Sequence, residues 1–106
     1  MNEIVYEVNL DVDAARATEF EEWLRPHVGE MLRFDGFVRA TIFHREPLGE
    51  EPGDRRGFTV HYTVRDRAAL ETYLRDHAAA MRGDGAKRFG DSFRGWRNVL
   101  IPGGGA

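Results

Sequence analysis

The sequence predicts an α+β sandwich of four strands and two helices in the order βαββαβ, and three observations carry that prediction. Apolar and polar side chains alternate through residues 3–12, Val5 apart, and through 58–64, which marks strands with one buried face. Apolar residues fall at helical spacing in two intervening stretches. The halves also echo each other: Trp23-Leu24-Arg25-Pro26-His27 with Met31 recurs as Tyr73-Leu74-Arg75-Asp76-His77 with Met81, at one constant offset.

Taken in order, the first strand sends Ile4, Tyr6, Val8, Leu10 and Val12 to one face and Glu3, Val5, Glu7, Asn9 and Asp11 to the other. Asp13 is placed to cap the helix that follows, and Thr18-Glu19-Phe20-Glu21 offers a rival capping box. The stripe Phe20, Trp23, Leu24, Val28, Met31 and Leu32 fits a helix of about five turns. Pro26 removes an N–H inside it, which predicts a bent or two-piece helix kinked near Glu22. Asp35-Gly36 turns the chain into a second strand over residues 37–45, with Phe37, Arg39, Thr41, Phe43 and Arg45 on one face. Val38, Ala40, Ile42 and His44 take the other. Residues 46–57, rich in proline, glycine and charge, read as a mobile connection.

The third strand sets Phe58, Val60, Tyr62 and Val64 against Thr59, His61 and Thr63. Asp66 is a good N-cap for a second helix from Arg67 to about Arg82, its inward stripe including Leu70, Tyr73, Leu74, His77 and Met81. Gly83 and Gly85 are expected to stop it. A fourth strand runs from roughly Ser92 to Ile101 with its register open, and residues 102–106 read as a disordered tail. One domain over residues 1–101 follows. Two split strand-helix-strand units make a ferredoxin-like sandwich: a four-stranded antiparallel sheet with strands one and three central and both helices on one face. The other face is left bare. With Val5, Phe37 and Phe43 outward it would show apolar surface to water, which predicts a homodimer through that face.

Composition narrows the function classes. With 15 basic and 18 acidic residues, net charge −3, the chain lacks the basic excess that phosphate neutralisation demands, so no nucleic-acid partner is expected. Arg82, Lys87, Arg88, Arg94 and Arg97 gather in the second half; they read either as an anion-binding group or as a solvated helix end and strand rim. The absence of cysteine excludes disulfides, thiolate metal sites and Cys nucleophiles. No signal peptide and no membrane span can be drawn, so the protein is expected in the cytoplasm.

The motifs resemble one family. Tyr6-Glu7-Val8, Trp23-Leu24 with His27, Met31-Leu32, Gly36-Phe37 and Ala40 carry the likeness in the first half. Val60-His61-Tyr62, Tyr73-Leu74, His77-Ala78, Met81-Arg82, Arg88-Phe89-Gly90-Asp91, Phe93 and Val99-Leu100 carry it in the second. The chain resembles the small bacterial proteins grouped as domain of unknown function 4286. That resemblance implies a ferredoxin-like protomer pairing as a dimeric α+β barrel, with no assigned activity. The wider group of dimeric α+β-barrel proteins includes cofactor-independent monooxygenases and haem-degrading enzymes, a likeness of fold alone.

Three constellations could carry chemistry. On the bare face, Glu7 and Asn9 join Thr59, His61, Thr63, Arg39, Thr41 and Arg45. Were strands one and three parallel neighbours, Glu7 and His61 would be cross-strand partners with Arg39 beside them, a carboxylate orienting an imidazole as a general base. The same groups serve equally as a polar network across a dimer interface. The second constellation is His27 with His77, each inward on its helix. They read as acid and base, or as ligand-binding groups, in a pocket between helices and sheet walled by Tyr62, Tyr73, Met81, Trp23 and Trp96; the alternative is satisfied core histidines. No metal is predicted there, because no inward carboxylate stands near either histidine. No cofactor is predicted; haem held through His77 is the one considered. The third is Arg88-Phe89-Gly90-Asp91, an ion-paired turn with Phe89 plugging the core, or a lid. The leading expectation is a dimer that binds a small molecule between helices and sheet. The rivals are an enzyme using His77 or the Glu7/His61 pair, and an interaction module acting through the sheet face.

Overall fold

The computed structural model describes residues 3–51 and 53–105; Met1, Asn2, Pro52 and Ala106 lie outside them. Strand β1 is Ile4–Asp13, helix α1 Ala17–Met31, strands β2 and β3 Phe37–Arg45 and Arg55–Val64. Helices α2 and α3 are Arg67–Asp76 and Ala78–Phe89, and strand β4 is Phe93–Leu100. The sheet runs β2-β3-β1-β4, every pair antiparallel. The helices cover one face, and this is the ferredoxin-like arrangement.

The core follows from strand parity. Tyr6, Leu10 and Val12 of β1 and Phe58, Val60, Tyr62 and Val64 of β3 meet Phe20, Leu24, Val28 and Met31 of α1 and Leu70 and Tyr73 of α2. Phe20 is fully buried at the centre of an aromatic knot, its ring 4.9 Å from Phe89, 5.5 Å from Trp23 and Phe93, and 5.6 Å from Phe58. Gly36 fixes the entry to β2. Its φ of +84° suits glycine, its carbonyl accepts from Arg65 N–H at 2.7 Å, and a Cβ there would stand 2.4 Å from that of Ala69.

Several expectations change. Phe37 faces the helices, not the bare sheet face, and packs against Phe34, Tyr62 and Tyr73. A register shift between Phe37 and Arg39 puts one extra residue, the exposed Val38, into β2 and reverses the parity before it. The stretch 46–57 is shorter as a connection, because Arg55, Arg56 and Gly57 pair with Asp13, Val12 and Asp11. Asp13 does not cap α1: it precedes a single 3-10 turn at Ala14–Arg16, and its carboxylate takes Arg55 instead. The Thr18 box is absent too, since the residue capping α1 is Arg16. Asp66 does cap α2, accepting from Ala69 N–H at 2.9 Å.

Pro26 does not divide α1, which is one helix with the proline on its exposed side. The break falls in the second half. His77, at φ −130°, leaves helical geometry, ends α2 and begins α3. Gly83 and Gly85 do not stop the helix but lie within α3, which ends at Gly90 with φ +52°. Gly85 is needed for packing: a Cβ there would sit 3.0 Å from Trp23 Cη2. Residues 102–105 carry no regular structure and are exposed; Ala106, the end of the expected tail, is outside the described residues.

Candidate functional site

A cavity of about 310 Å³ opens between the sheet and the helices α1 and α3. Tyr6, Tyr62 and Arg97 rise into it from the sheet, Trp23 and His27 from α1, Tyr73 from α2, and Met81 and Arg82 from α3. Two glycines shape its walls. Gly85 lets Trp23 approach α3, and Gly95 lets β4 lie close on β1, where a Cβ would stand 3.1 Å from both the Asn9 carbonyl oxygen and Leu10 Cδ2.

The polar groups converge on one side. Arg97 is opposite Val8 in the ladder, so it shares the helix-facing parity of Phe93 and Gly95. Its Nε is buried with no hydrogen-bond partner among the described residues. Such a donor is costly to leave unmet. Arg82 Nη2 donates to the Tyr6 hydroxyl at 3.3 Å, and Tyr6 packs edge-on to Tyr73, 5.8 Å between ring centroids. Burial pushes the Tyr62 and Tyr73 phenols well above their ordinary range, so both are neutral hydroxyl groups at physiological pH. The His27 ring stacks on Trp23 at 4.5 Å, and desolvation lowers its pKa despite the nearby carboxylates of Glu30 and Asp84. One ring nitrogen of His27 and one oxygen of each carboxylate lie within 4.8 Å of one another.

The opposite sheet face holds a separate network. Glu7 and His61 are direct partners across β1 and β3, antiparallel rather than parallel, with His61 Nε2 2.8 Å from Glu7 Oε2. Asn98 and Asn9 donate to Glu7 Oε1 at 2.9 and 3.0 Å. These amides, Asn98 foremost, together with His61 hold the Glu7 carboxyl down at about 2. Thr59 donates to Asn9 Oδ1 at 2.7 Å, Arg45 donates to Thr59, and the Arg45 guanidinium pairs with Asp11 and lies 5.1 Å from the Trp96 ring centroid. Under this cover Asn9 and Thr59 are only 6 % and 8 % exposed, although the face is nominally bare.

The predicted residues therefore divide. Of the ligand-binding set, His27, Tyr62, Tyr73 and Met81 line the cavity; His77 and Trp96 do not. His77 is exposed at the helix break and stacks on Phe34 at 4.6 Å, so it does not point inward and does not meet His27. Trp96 has the parity of Asn98 and lies on the outer face, 43 % exposed. Arg39 pairs with Glu3 at 3.8 Å instead of standing beside Glu7; Asn98 takes that place. No ion pair joins Arg88 and Asp91 among the described residues. Arg16 ties that turn, donating to the Arg88 carbonyl at 3.5 Å and lying 4.7 Å over Phe89. Tyr6, Arg82, Arg94 and Arg97 are among the cavity residues that the sequence did not place there.

The fold and this cavity define a ferredoxin-like α+β protein with an internal polar-aromatic pocket. The chain belongs to the family described as domain of unknown function (DUF4286), whose model matches residues 3–102. No curated protein matches the sequence. Among solved structures it is similar to SnoaB, a cofactor-independent oxygenase from Streptomyces nogalater, at 19% identity and TM-score 0.71, covering 99% of this chain and 97% of that one. A dimeric ferredoxin-like protein from an uncultured marine organism matches at 8% identity and TM-score 0.74 over 100% of both chains. A de novo designed protein, Foldit4, matches at 13% identity and TM-score 0.66, covering 95% of this chain and 99% of that one. A likeness shared by an oxygenase and a designed chain is one of fold.

Proposed function

We propose that this protein binds a small, flat aromatic molecule bearing a carboxylate or an acidic hydroxyl in the cavity between helices and sheet. The observation that carries the reading is Arg97, a half-buried cation whose Nε is itself buried and has no partner among the described residues, in a pocket lined by phenol rings. An anionic oxygen there would take a charge-assisted hydrogen bond and offset the cost of burying the guanidinium. Tyr62 and Tyr73, buried in the core, back the cavity as neutral phenols, while Trp23 and Met81 supply its more accessible apolar wall and Arg82 a second cation at Tyr6.

The working unit in this reading is a homodimer joined through the outer sheet face. Phe43 and Trp96 stand there 44 % and 43 % exposed around the Glu7–Asn9–Thr59–Arg45 network. The dimeric ferredoxin-like neighbour supports such pairing. The Glu7/His61 pair then belongs to the interface, on the other side of the sheet from the cavity.

The experiment is a titration with an anthraquinone carboxylate followed by tryptophan fluorescence in a Trp96→Phe background, so that Trp23 alone reports. Saturable quenching is expected, with affinity about tenfold or more weaker in Arg97→Met, the size of one lost charge-assisted hydrogen bond. Equal affinity in the two proteins, or no binding by either, would refute the reading. A second reading, cofactor-independent oxygenation of the bound aromatic, is favoured by the fold likeness to SnoaB. Oxygen uptake on adding a hydroxylated polycyclic aromatic, lost in Arg97→Met, tests it.

A further inference from the structure

We propose that His27, Glu30 and Asp84 form a binding site for a divalent transition-metal ion at the rim of the cavity, bridging α1 and α3. His27 and Glu30 stand three residues apart on α1, so their side chains leave the same face of the helix. Asp84 arrives from α3, which packs alongside where Gly85 admits Trp23. The three ligand atoms already lie within 4.8 Å of one another, so modest rotamer adjustment closes them to the spacing that one ion at about 2.0–2.2 Å from each ligand requires.

Two further features bear on this group. No lysine or arginine nitrogen stands within 4.0 Å of Glu30 or Asp84 among the described residues, as is also true of Glu22, Glu71 and Asp91, but of these only Glu30 and Asp84 share their position with an imidazole. Two carboxylates from separate helices thus converge on an imidazole without an ion pair of their own. The Arg97 charge across the cavity also acts on the His27 ring, and a dication held between the carboxylates relieves their repulsion. The His27 ring is also held in place by its stack on Trp23, as a metal ligand must be held. One imidazole and two carboxylates suit zinc, manganese or cobalt better than calcium or magnesium. Three protein ligands leave a further position open, on the side where His27 lines the cavity. The site rests on this geometry alone and holds whether or not the cavity takes an organic ligand.

The test uses the full chain without a histidine tag, stripped of metal and titrated with cobalt(II) alone near neutral pH. Visible ligand-field bands that saturate at one equivalent and are displaced by zinc are expected, with a rise in the thermal midpoint on adding zinc. His27→Ala should abolish the bands. Asp84→Asn, an exposed change that spares the fold, should weaken cobalt binding by about tenfold or more, since even an outer-sphere partner is worth that much. His44→Ala, at the separate His44–Glu21 pair, should bind as the unmodified protein does. Absence of bands in the unmodified protein, bands that survive in His27→Ala, or an affinity unchanged in Asp84→Asn would each overturn the proposal.

Discussion

Replacing Glu7 with Gln should change how stability depends on acid far more than it changes the structure. The carboxyl is held near 2 in the fold against 4.5 ordinarily, chiefly by the Asn98 and Asn9 amides and then by His61. A carboxylate whose folded pKa is depressed contributes stability that is fully present above its unfolded value and disappears as pH falls through the folded value. The window is therefore pH 4.5 down to 2. At about 1.4 kcal/mol per unit, the lowering amounts to roughly 3 kcal/mol that the native protein loses across this window and Glu7→Gln does not. Urea unfolding at a series of pH values measures it, with the difference between the two proteins isolating Glu7 from other carboxylates such as Asp35 and Asp76. Below pH 2 the two stability curves should converge, the mutant having been the weaker near neutrality. Parallel curves from pH 5 to 2 would refute the assignment of the depressed carboxyl to this network.

Three further outcomes are expected. Gly36→Ala should destabilise by about 2 kcal/mol or more in urea unfolding, since the turn holds φ +84° and the new Cβ meets Ala69. Phe20→Ala should cost about 3–5 kcal/mol by the same assay, as expected for a fully buried ring touching four other aromatic groups. With the dimer proposed above, the unmodified protein should scatter as a dimer at micromolar concentration and Phe43→Asp as a monomer with unchanged circular dichroism; a dimer that survives the substitution would move the interface off the outer sheet face.

The fold was legible because its signals are local. Alternation in β1 and β3, the stripes of α1 and α2, and the Asp66 cap each follow from residues a few positions apart. The cavity was legible only as far as those stripes reach, which gave His27, Tyr62, Tyr73 and Met81. Arg97 was missed because β4 alternates weakly, and a strand whose parity is unknown cannot be assigned an inner face. The same uncertainty misplaced Trp96. His77 went wrong for a different reason: helical spacing predicts a direction only while the helix continues, and it stops at that residue. Phe37 was reversed by one extra residue in β2, and the meeting of Asp84 with His27 depends on how two helices pack, which spacing within either one does not encode.

Strand β4 lies at one margin of the sheet, hydrogen-bonded to β1 on one side only. Its successive residues nonetheless serve opposite sides: Gly95 and Arg97 shape the cavity, while Trp96 and Asn98 furnish the outer face. A slip by a single residue would send a tryptophan inward and a guanidinium outward, disabling both surfaces in one stroke. The strand thereby ties the lining of the pocket and the outer face to one register. In the ligand complex and dimer proposed above, a shift of Arg97 would therefore reach Trp96 and Asn98, its neighbours in the chain, directly.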